Sequence, residues 1–245
     1  MDKKYNADTL YKNTIEEIVT FQFDEHVANV FPDMLHRSIP GYAFIISQIG
    51  VFAKTALQDN SHVYDLGCSL GAASLVIANS TPKKHCKIFG IDCSSAMIER
   101  AKKHIIDTPL LNPIEYICED IETTILENAS MVVLNFTLQF IPPERRLSII
   151  KHIYNALRPQ GILVVSEKIK YDTQNKQNRL NLLHHAFKQA NGYSELEISQ
   201  KRQAIENFLI SETTTTHEER FEQAGFTAFD QWFQGYQFAS WVAQK

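Results

Sequence analysis

The segment Asp65-Leu66-Gly67-Cys68-Ser69-Leu70-Gly71 is the part of this sequence best suited to seating a ligand. Glycine lets a backbone turn sharply and approach a bound molecule without a Cβ clash. A helix starting after such a turn presents free N–H groups. Asp65, Gly67 and Gly71 shape the turn, and the Ser69 hydroxyl is able to hydrogen-bond a ligand. Asp92 follows 25 residues after Gly67. A carboxylate there can accept both ribose hydroxyls of a nucleoside, or it can cap the helix beginning at SSAMIERA. Asp120 with Ile121, and then Asn135, close two further strand-like runs. Their joint occurrence at the ends of successive strands is more specific than any one residue. It also argues against a nicotinamide dinucleotide, whose turn reads G-x-G-x-x-G.

Arg202 is the other chemical signal. Taking ISQKRQAIENFL as a helix, Ile198, Arg202, Ile205 and Leu209 fall on one stripe. A guanidinium on an inward stripe requires an anion. That anion is either a ligand or an internal partner such as Glu197 or Glu206; alternatively the side chain snorkels to the surface. Cys68 and Cys93 lie beside the expected pocket as small lining groups, with no nucleophilic role assigned. His184-His185 is expected on a solvated surface, because adjacent residues do not share a helix face. Trp232 and Trp241 are expected to pack within the terminal hairpin.

These residues need a scaffold. Residues 8–57 read as helical, and GYAFIISQIGVFAKTAL is apolar all round, which predicts burial on more than one side. Strands are expected at HVYDLG, CKIFGID, IEYICED, SMVVLNFTLQF and GILVVSEK, with helices at LGAASLVIANS, SSAMIERAKKHI and PPERRLSIIKHIYNAL between them. Apolar, non-alternating strands separated by helices predict a parallel sheet covered on both faces. Residues 174–209 read as a helical insertion. A helix around 216–224, closed by Gly225, precedes two strand-like runs, FTAFDQWF and YQFASWVAQ. These are joined at Gln234-Gly235 and so pair antiparallel. The expected whole is one α/β domain over 1–245, a doubly wound, mostly parallel seven-stranded sheet. It divides into an N-terminal helical cap (1–58), a ligand-binding core (60–170), a helical insertion (171–212) and a terminal helix with hairpin (213–245).

The 245 residues carry 24 Lys and Arg against 28 Asp and Glu, a net charge of −4. A mildly acidic chain lacks the basic face that grips phosphates, so direct nucleic-acid binding is not expected. No apolar run reaches a membrane span, and the four cysteines form no C-x-x-C pair, so no metal site is expected. The plain reading is a cytoplasmic protein with reduced thiols.

The order of elements resembles the class I S-adenosylmethionine-dependent methyltransferases over roughly residues 60–245. Their last strand runs against the others. The resemblance implies that the turn lies beneath the amino acid part of S-adenosylmethionine, that Asp120 faces the adenine amino group and that the Ile121 N–H reaches the ring. Ser69 stands where that family usually has its middle glycine. The segments FDEHVANVF, YDLGCSLGAAS, NFTLQFIPPERR, ELEISQKR and WFQGYQFASW are similar to the carboxy-S-adenosylmethionine synthase family, across nearly the whole chain. That resemblance implies conversion of S-adenosylmethionine and prephenate to carboxy-S-adenosylmethionine and phenylpyruvate. It further implies a homodimer whose product feeds a partner enzyme that modifies the wobble uridine of some tRNAs. In the mechanism proposed for the family, hydroxide leaving prephenate removes a methyl proton, and the ylide captures the released carbon dioxide. No side-chain base is needed. Arg202 matches an arginine that binds the new carboxylate, and Tyr42 a tyrosine that contacts the ligand. Two alternatives stand beside this. One is a methyltransferase acting on a small anionic acid. The other is a non-enzymatic dimer that binds S-adenosylmethionine or S-adenosylhomocysteine.

Overall fold

The computed structural model describes residues 6–15, 20–83, 85–205 and 208–245. Seven strands form one sheet: β1 (His62–Leu66), β2 (Lys87–Asp92), β3 (Ile114–Cys118), β4 (Ala129–Asn135), β5 (Leu157–Lys168), β6 (Ala228–Gly235) and β7 (Phe238–Gln244), in the spatial order β3-β2-β1-β4-β5-β7-β6. The first five pair in parallel, and β7 runs antiparallel to both β5 and β6. Chain order reverses beside β1, which opens a crevice at the carboxyl ends of β1 and β4.

Side-chain alternation explains why both faces are covered. On β4, Val132 and Leu134 join Ile149, Ile150 and Ile153 of α5 (Pro143–Ala156) and Phe221 of α8 (Thr214–Ala224). Met131 and Val133 point the other way, to Ile45, Ile49 and Ala53 of α2 (Tyr42–Ala56) and Ile77 of α3 (Ala72–Ala78). A strand apolar on both faces therefore has a helix layer for each. The helix ends follow their local chemistry. Ser94 Oγ accepts the Met97 N–H at the start of α4 (Ser95–Ile105), Pro143 opens α5, and Thr213 and Gly225 bound α8.

Several details differ from the sequence reading. The strand expected over SMVVLNFTLQF stops at Asn135, and Leu138–Phe140 is a short 3-10 helix. Residues 8–15 and 20–24 are not helical; the N-terminal helices are α1 (Glu25–Ser38) and α2. The helix α2 buries one face only, and Phe44 and Val51 stand 52% and 48% exposed. The insertion is two helices, α6 (Gln174–Ala190) and α7 (Glu195–Ile205). The terminal hairpin turns at Tyr236-Gln237, with Tyr236 at φ 53°, because β6 keeps its ladder through Gly235. Trp241 is buried under α8, whereas Trp232 packs edge-on against Phe52 of α2 at 5.2 Å.

His217 of α8 is buried and stacked on Trp241 at 5.0 Å. Burial, then the nearby Arg220 charge, pushes it down to about 4. The folded state therefore disfavours the imidazolium, and the stability this contributes is present above the ordinary His range and lost as the pH falls toward 4. We expect urea unfolding to show a loss on the order of 2–3 kcal/mol between pH 6.5 and 4.5 from this residue. A His217→Gln variant should lose visibly less over that interval. Parallel pH profiles for the two proteins would exclude His217 as a source of acid sensitivity.

Candidate active site

The crevice is a cavity of about 1120 Å³. That is just above the range for a single drug-sized ligand, roughly 300–1,000 Å³, and leaves room for two reactants. The turn after β1 forms its floor. Gly67 and Cys68 donate their N–H groups to the Ile91 carbonyl at 2.8 and 2.9 Å, which ties the turn to β2. Gly67 takes φ 74° and sits so close to Thr137 that a Cβ would collide with it. Gly71, at φ 80°, is similarly crowded by Tyr116, and lies set back from the cavity wall that Gly67, Cys68, Ser69 and Leu70 form. Ser69 also adopts the left-handed region, φ 49°. A non-glycine residue there signals a backbone held by its surroundings.

The holding group is Asp92. Its carboxylate accepts the Ser69 N–H at 2.8 Å and the Ser94 N–H at 2.9 Å. Helix capping is done by Ser94 instead, so Asp92 is left to shape the turn and face the cavity. Burial raises its pKa, opposed by these two N–H bonds. Asp65 is also buried; its Oδ2 accepts the Ser74 N–H and hydroxyl at 2.9 and 2.6 Å, and burial pushes it up to about 6. This fixes the start of α3 over the turn. Asp120 is exposed beyond β3 and accepts the Glu122 N–H at 2.9 Å, and Ile121 beside it is buried. Asn135 ends β4 with its Oδ1 buried and without a hydrogen-bond partner, an acceptor left for a ligand. Tyr42 begins α2 with its ring 6.4 Å from Phe136. Cys68 is buried and Cys93 exposed; burial pushes both thiols up, which suits inert lining groups. Among the described residues, no cluster of three or more His, Cys, Asp and Glu could hold a metal ion.

Tyr42, Asp65, Gly67, Cys68, Ser69, Asp92, Cys93, Asp120, Ile121, Asn135 and Arg202 all line this one cavity. Arg202 of α7 does so from an exposed position, not from an inward stripe: Ile198 one turn earlier is buried, and the helix axis carries Arg202 out to the rim. Glu197 is engaged with the Ser194 N–H and hydroxyl, both at 2.8 Å. Glu206 lies outside the described residues. The histidine pair also departs from expectation. His184 is buried; its ring shares a hydrogen bond with the Ser38 carbonyl at 2.8 Å and packs on Phe238 at 5.0 Å, because α6 lies against α1 and β7. Both His184 and His185 line the cavity.

Two groups of residues were not singled out by sequence. Lys168, Lys188 and Lys201 join Arg202 on the wall formed by β5, α6 and α7. Lys168 closes the strand GILVVSEK, and Lys188 and Lys201 lie in a polar insertion, where each reads as an ordinary solvated lysine, so no sequence signal marks them. The second group supports the wall after β4. Glu167 accepts the Leu138 and Gln139 N–H groups, both at 2.8 Å, and Gln139 Oε1 accepts the Lys168 N–H at 2.9 Å. Arg146 lies fully buried beneath. It donates to the Ile141 carbonyl at 2.8 Å, Ile210 at 2.9 Å, Gln139 at 3.2 Å and the Glu212 carboxylate at 2.5 Å. The pattern PPERR carries Arg146, but nothing in it says that this arginine faces inward.

The two ends of the cavity thus differ in charge. Asp92, Asp120 and Glu122 line it beside β2 and β3, and three lysines and an arginine line it beside β5, α6 and α7, where Asp33 pairs with Arg37 and Asp8 with Lys201. The acidic end suits the hydroxyls and amino group of a nucleoside; the basic end suits carboxylates. An Asp92→Ala variant should lose about 1–3 kcal/mol of affinity for S-adenosylhomocysteine, the range for leaving buried polar groups unpaired. Calorimetric titration measures this, and an unchanged affinity in a folded variant would remove Asp92 from the site.

Residues 63–161 match the family model described as a methyltransferase domain. Carboxy-S-adenosyl-L-methionine synthase of Geobacter sp. (strain M21) is 51% identical over 240 residues, covering 98% of this chain and 98% of that protein. The synthase of Trichlorobacter lovleyi is 51% identical over 246 residues, with both chains fully covered. Among solved structures, magnesium protoporphyrin IX methyltransferase from Synechocystis PCC 6803 superposes with a TM-score of 0.60 at 14% identity. The match covers 86% of this chain and 87% of that one, and is a likeness of fold.

Proposed function

Because the chain belongs to the carboxy-S-adenosyl-L-methionine synthase family, we propose that its cavity brings S-adenosylmethionine and prephenate together and yields carboxy-S-adenosylmethionine and phenylpyruvate. The observation that carries this reading is the division of one cavity into an acidic end and a basic end. When the reactants are bound, the sulfonium acidifies its methyl group, and prephenate releases its ring carboxylate as carbon dioxide together with hydroxide as the ring becomes aromatic. Hydroxide takes the methyl proton to give water, and the ylide carbon adds to the carbon dioxide.

The chain's own residues position and enclose. Asp92 takes the ribose hydroxyls, Asp120 and the Ile121 N–H meet the adenine, and the backbone of Gly67, Cys68 and Ser69 supports the amino acid part. Tyr42 and the Asn135 Oδ1 contact that part from the other side. Arg202 binds the carboxylate carried on the sulfonium methyl, where its planar fork makes two parallel bonds. Phe23, Phe31, Phe136 and Phe140 line the cavity and keep water from the reacting atoms. No side-chain base is required. His184, held down to about 3 by burial and by Lys188, is too weak to act as one. Holding two reactants in line in a dry site is the main contribution.

Phe44 stands exposed beside Trp232 and Phe233, 6.4 and 6.0 Å from those rings, and Val51 is exposed on the same helix. This apolar patch supports the homodimer. Four free cysteines and the absence of any helix long and apolar enough to cross a membrane, among the described residues, support a cytoplasmic enzyme. Its product would pass to the enzyme that carboxymethylates tRNA, with no direct RNA contact by this acidic chain. Incubation with S-adenosylmethionine, with and without prephenate, tests the reading. A mass gain of one carbon dioxide on S-adenosylmethionine, dependent on prephenate, is expected. Conversion to S-adenosylhomocysteine with an anionic acceptor would point to a methyltransferase, and binding without turnover to a non-enzymatic role.

A further inference from the structure

We infer that Lys188, on the insertion helix α6, binds the carboxylate that the donor keeps, and so selects a dianionic donor over a monoanionic one. The inference rests on the donor reading given above and adds a second anion subsite to it. Prephenate carries two carboxylates. One leaves the ring and ends on the sulfonium methyl, beside Arg202. The other sits on the pyruvyl side chain and remains in phenylpyruvate.

The cavity holds more positive charge than one carboxylate needs. Lys188 lines it together with Lys168, Lys201 and Arg202, beside a His184 that burial keeps neutral. Lys201 is answered by Asp8 at 3.4 Å, and Asp33 by Arg37 at 3.2 Å. Glu197 is engaged with Ser194. Among the described residues no ion pair involves Lys188. Burial, then the charges of Lys201, Lys168 and Arg202, pulls Lys188 down to about 7. Like charges gathered in a half-buried wall are unfavourable by themselves. A ligand that supplies two negative charges relieves that repulsion, and a ligand with one leaves half of it. Arg202 stands at the rim and takes the transferred group; Lys188, more deeply placed on α6, is left for the retained one.

A carboxylate that is unchanged by the reaction is gripped equally before and during the chemical step. Its partner therefore affects KM and not kcat. Steady-state kinetics with prephenate, titration of prephenate into the protein loaded with S-adenosylhomocysteine, and inhibition by phenylpyruvate test this together. Lys188→Met should raise the KM and Kd for prephenate and the inhibition constant of phenylpyruvate by a similar factor, about 10- to 100-fold. Its kcat should stay within about threefold of wild type, the signature of lost uniform binding. Affinity for S-adenosylhomocysteine should not change, and Lys188→Arg should recover most of the loss. If Lys188→Met fails to bind S-adenosylhomocysteine, Lys188→Gln serves for the same comparison. Unchanged prephenate and phenylpyruvate constants, or a loss confined to kcat, would overturn the assignment and leave the donor reading standing. A wild-type protein that neither binds nor carboxylates with prephenate overturns the donor reading, and Lys188's role with it.

Discussion

Arg202→Ala should separate two ligands that differ by one carboxylate. The variant is expected to bind carboxy-S-adenosylmethionine much less tightly than wild type while keeping its affinity for S-adenosylmethionine. From an inward stripe, the sequence alone would suggest the full cost of orphaning a buried ion pair. The exposed position of Arg202 at the cavity rim lowers that figure. The expected differential loss is about 1.5–3 kcal/mol, the range for a hydrogen bond to a charged group. Arg202→Lys should recover part, since an ammonium cannot reproduce the planar fork. Dissociation constants of both ligands for the three proteins decide the matter. An equal change for both ligands, in a variant that still melts cooperatively, would refute the carboxylate role and favour a plain methyltransferase.

Arg146→Ala should be the most damaging single change to the scaffold behind the site. The guanidinium is fully buried and meets three backbone carbonyls and Glu212, which Arg220 also holds at 2.7 Å. Removing it leaves those carbonyls and part of the Glu212 charge without a partner. It also removes the cation nearest Glu167, whose carboxyl burial already pushes up to about 8 against the pull of Arg146. Breaking a buried pair costs about 3–5 kcal/mol, a large share of the roughly 5–15 kcal/mol that keeps a domain folded. The melting temperature should fall by about 10 °C or more. Because Gln139 and the Ile210 backbone meet at Arg146, affinity for S-adenosylhomocysteine should weaken too. Urea unfolding with and without that ligand measures both. A loss below about 1 kcal/mol would show that water or neighbouring groups satisfy the network without the arginine.

The elements that position the nucleoside end were readable because their causes are local. An apolar run without alternation reads as a strand with two covered faces. HVYDLG and GILVVSEK became β1 and β5, and SMVVLNFTLQF became β4 only as far as Asn135, with Leu138–Phe140 forming a 3-10 turn. Glycines at 67 and 71 mark a turn whatever surrounds it. The basic end was not readable, because its cause is long-range. His184 is buried only because α6 meets the carbonyl of Ser38, 146 residues earlier in the chain. Residues 8–15 looked helical, yet their backbone is satisfied from far away: Gln200 donates to the Tyr11 and Asn13 carbonyls and accepts the Ile15 N–H. A periodicity argument sees neither contact. The hairpin misreading is of a different kind, since Gly235 suited a turn but Tyr236 tolerated the positive φ instead.

The same three contacts of Gln200 have a thermodynamic consequence. Gln200 and Lys201 fasten the N-terminal segment to α7, through Tyr11, Asn13, Ile15 and Asp8, and Phe21 donates to the Ala204 carbonyl at 3.0 Å. Arg202 is the very next residue on that helix. If Arg202 binds a carboxylate as proposed, a ligand that steadies α7 also favours the docked state of the segment. By reciprocity, the docked segment raises affinity for the carboxylated ligand by the same factor. Phe21 and Phe23 of the same segment line the cavity, so under the proposed role of Arg202 the N-terminal residues share in the free energy of holding a carboxylated ligand.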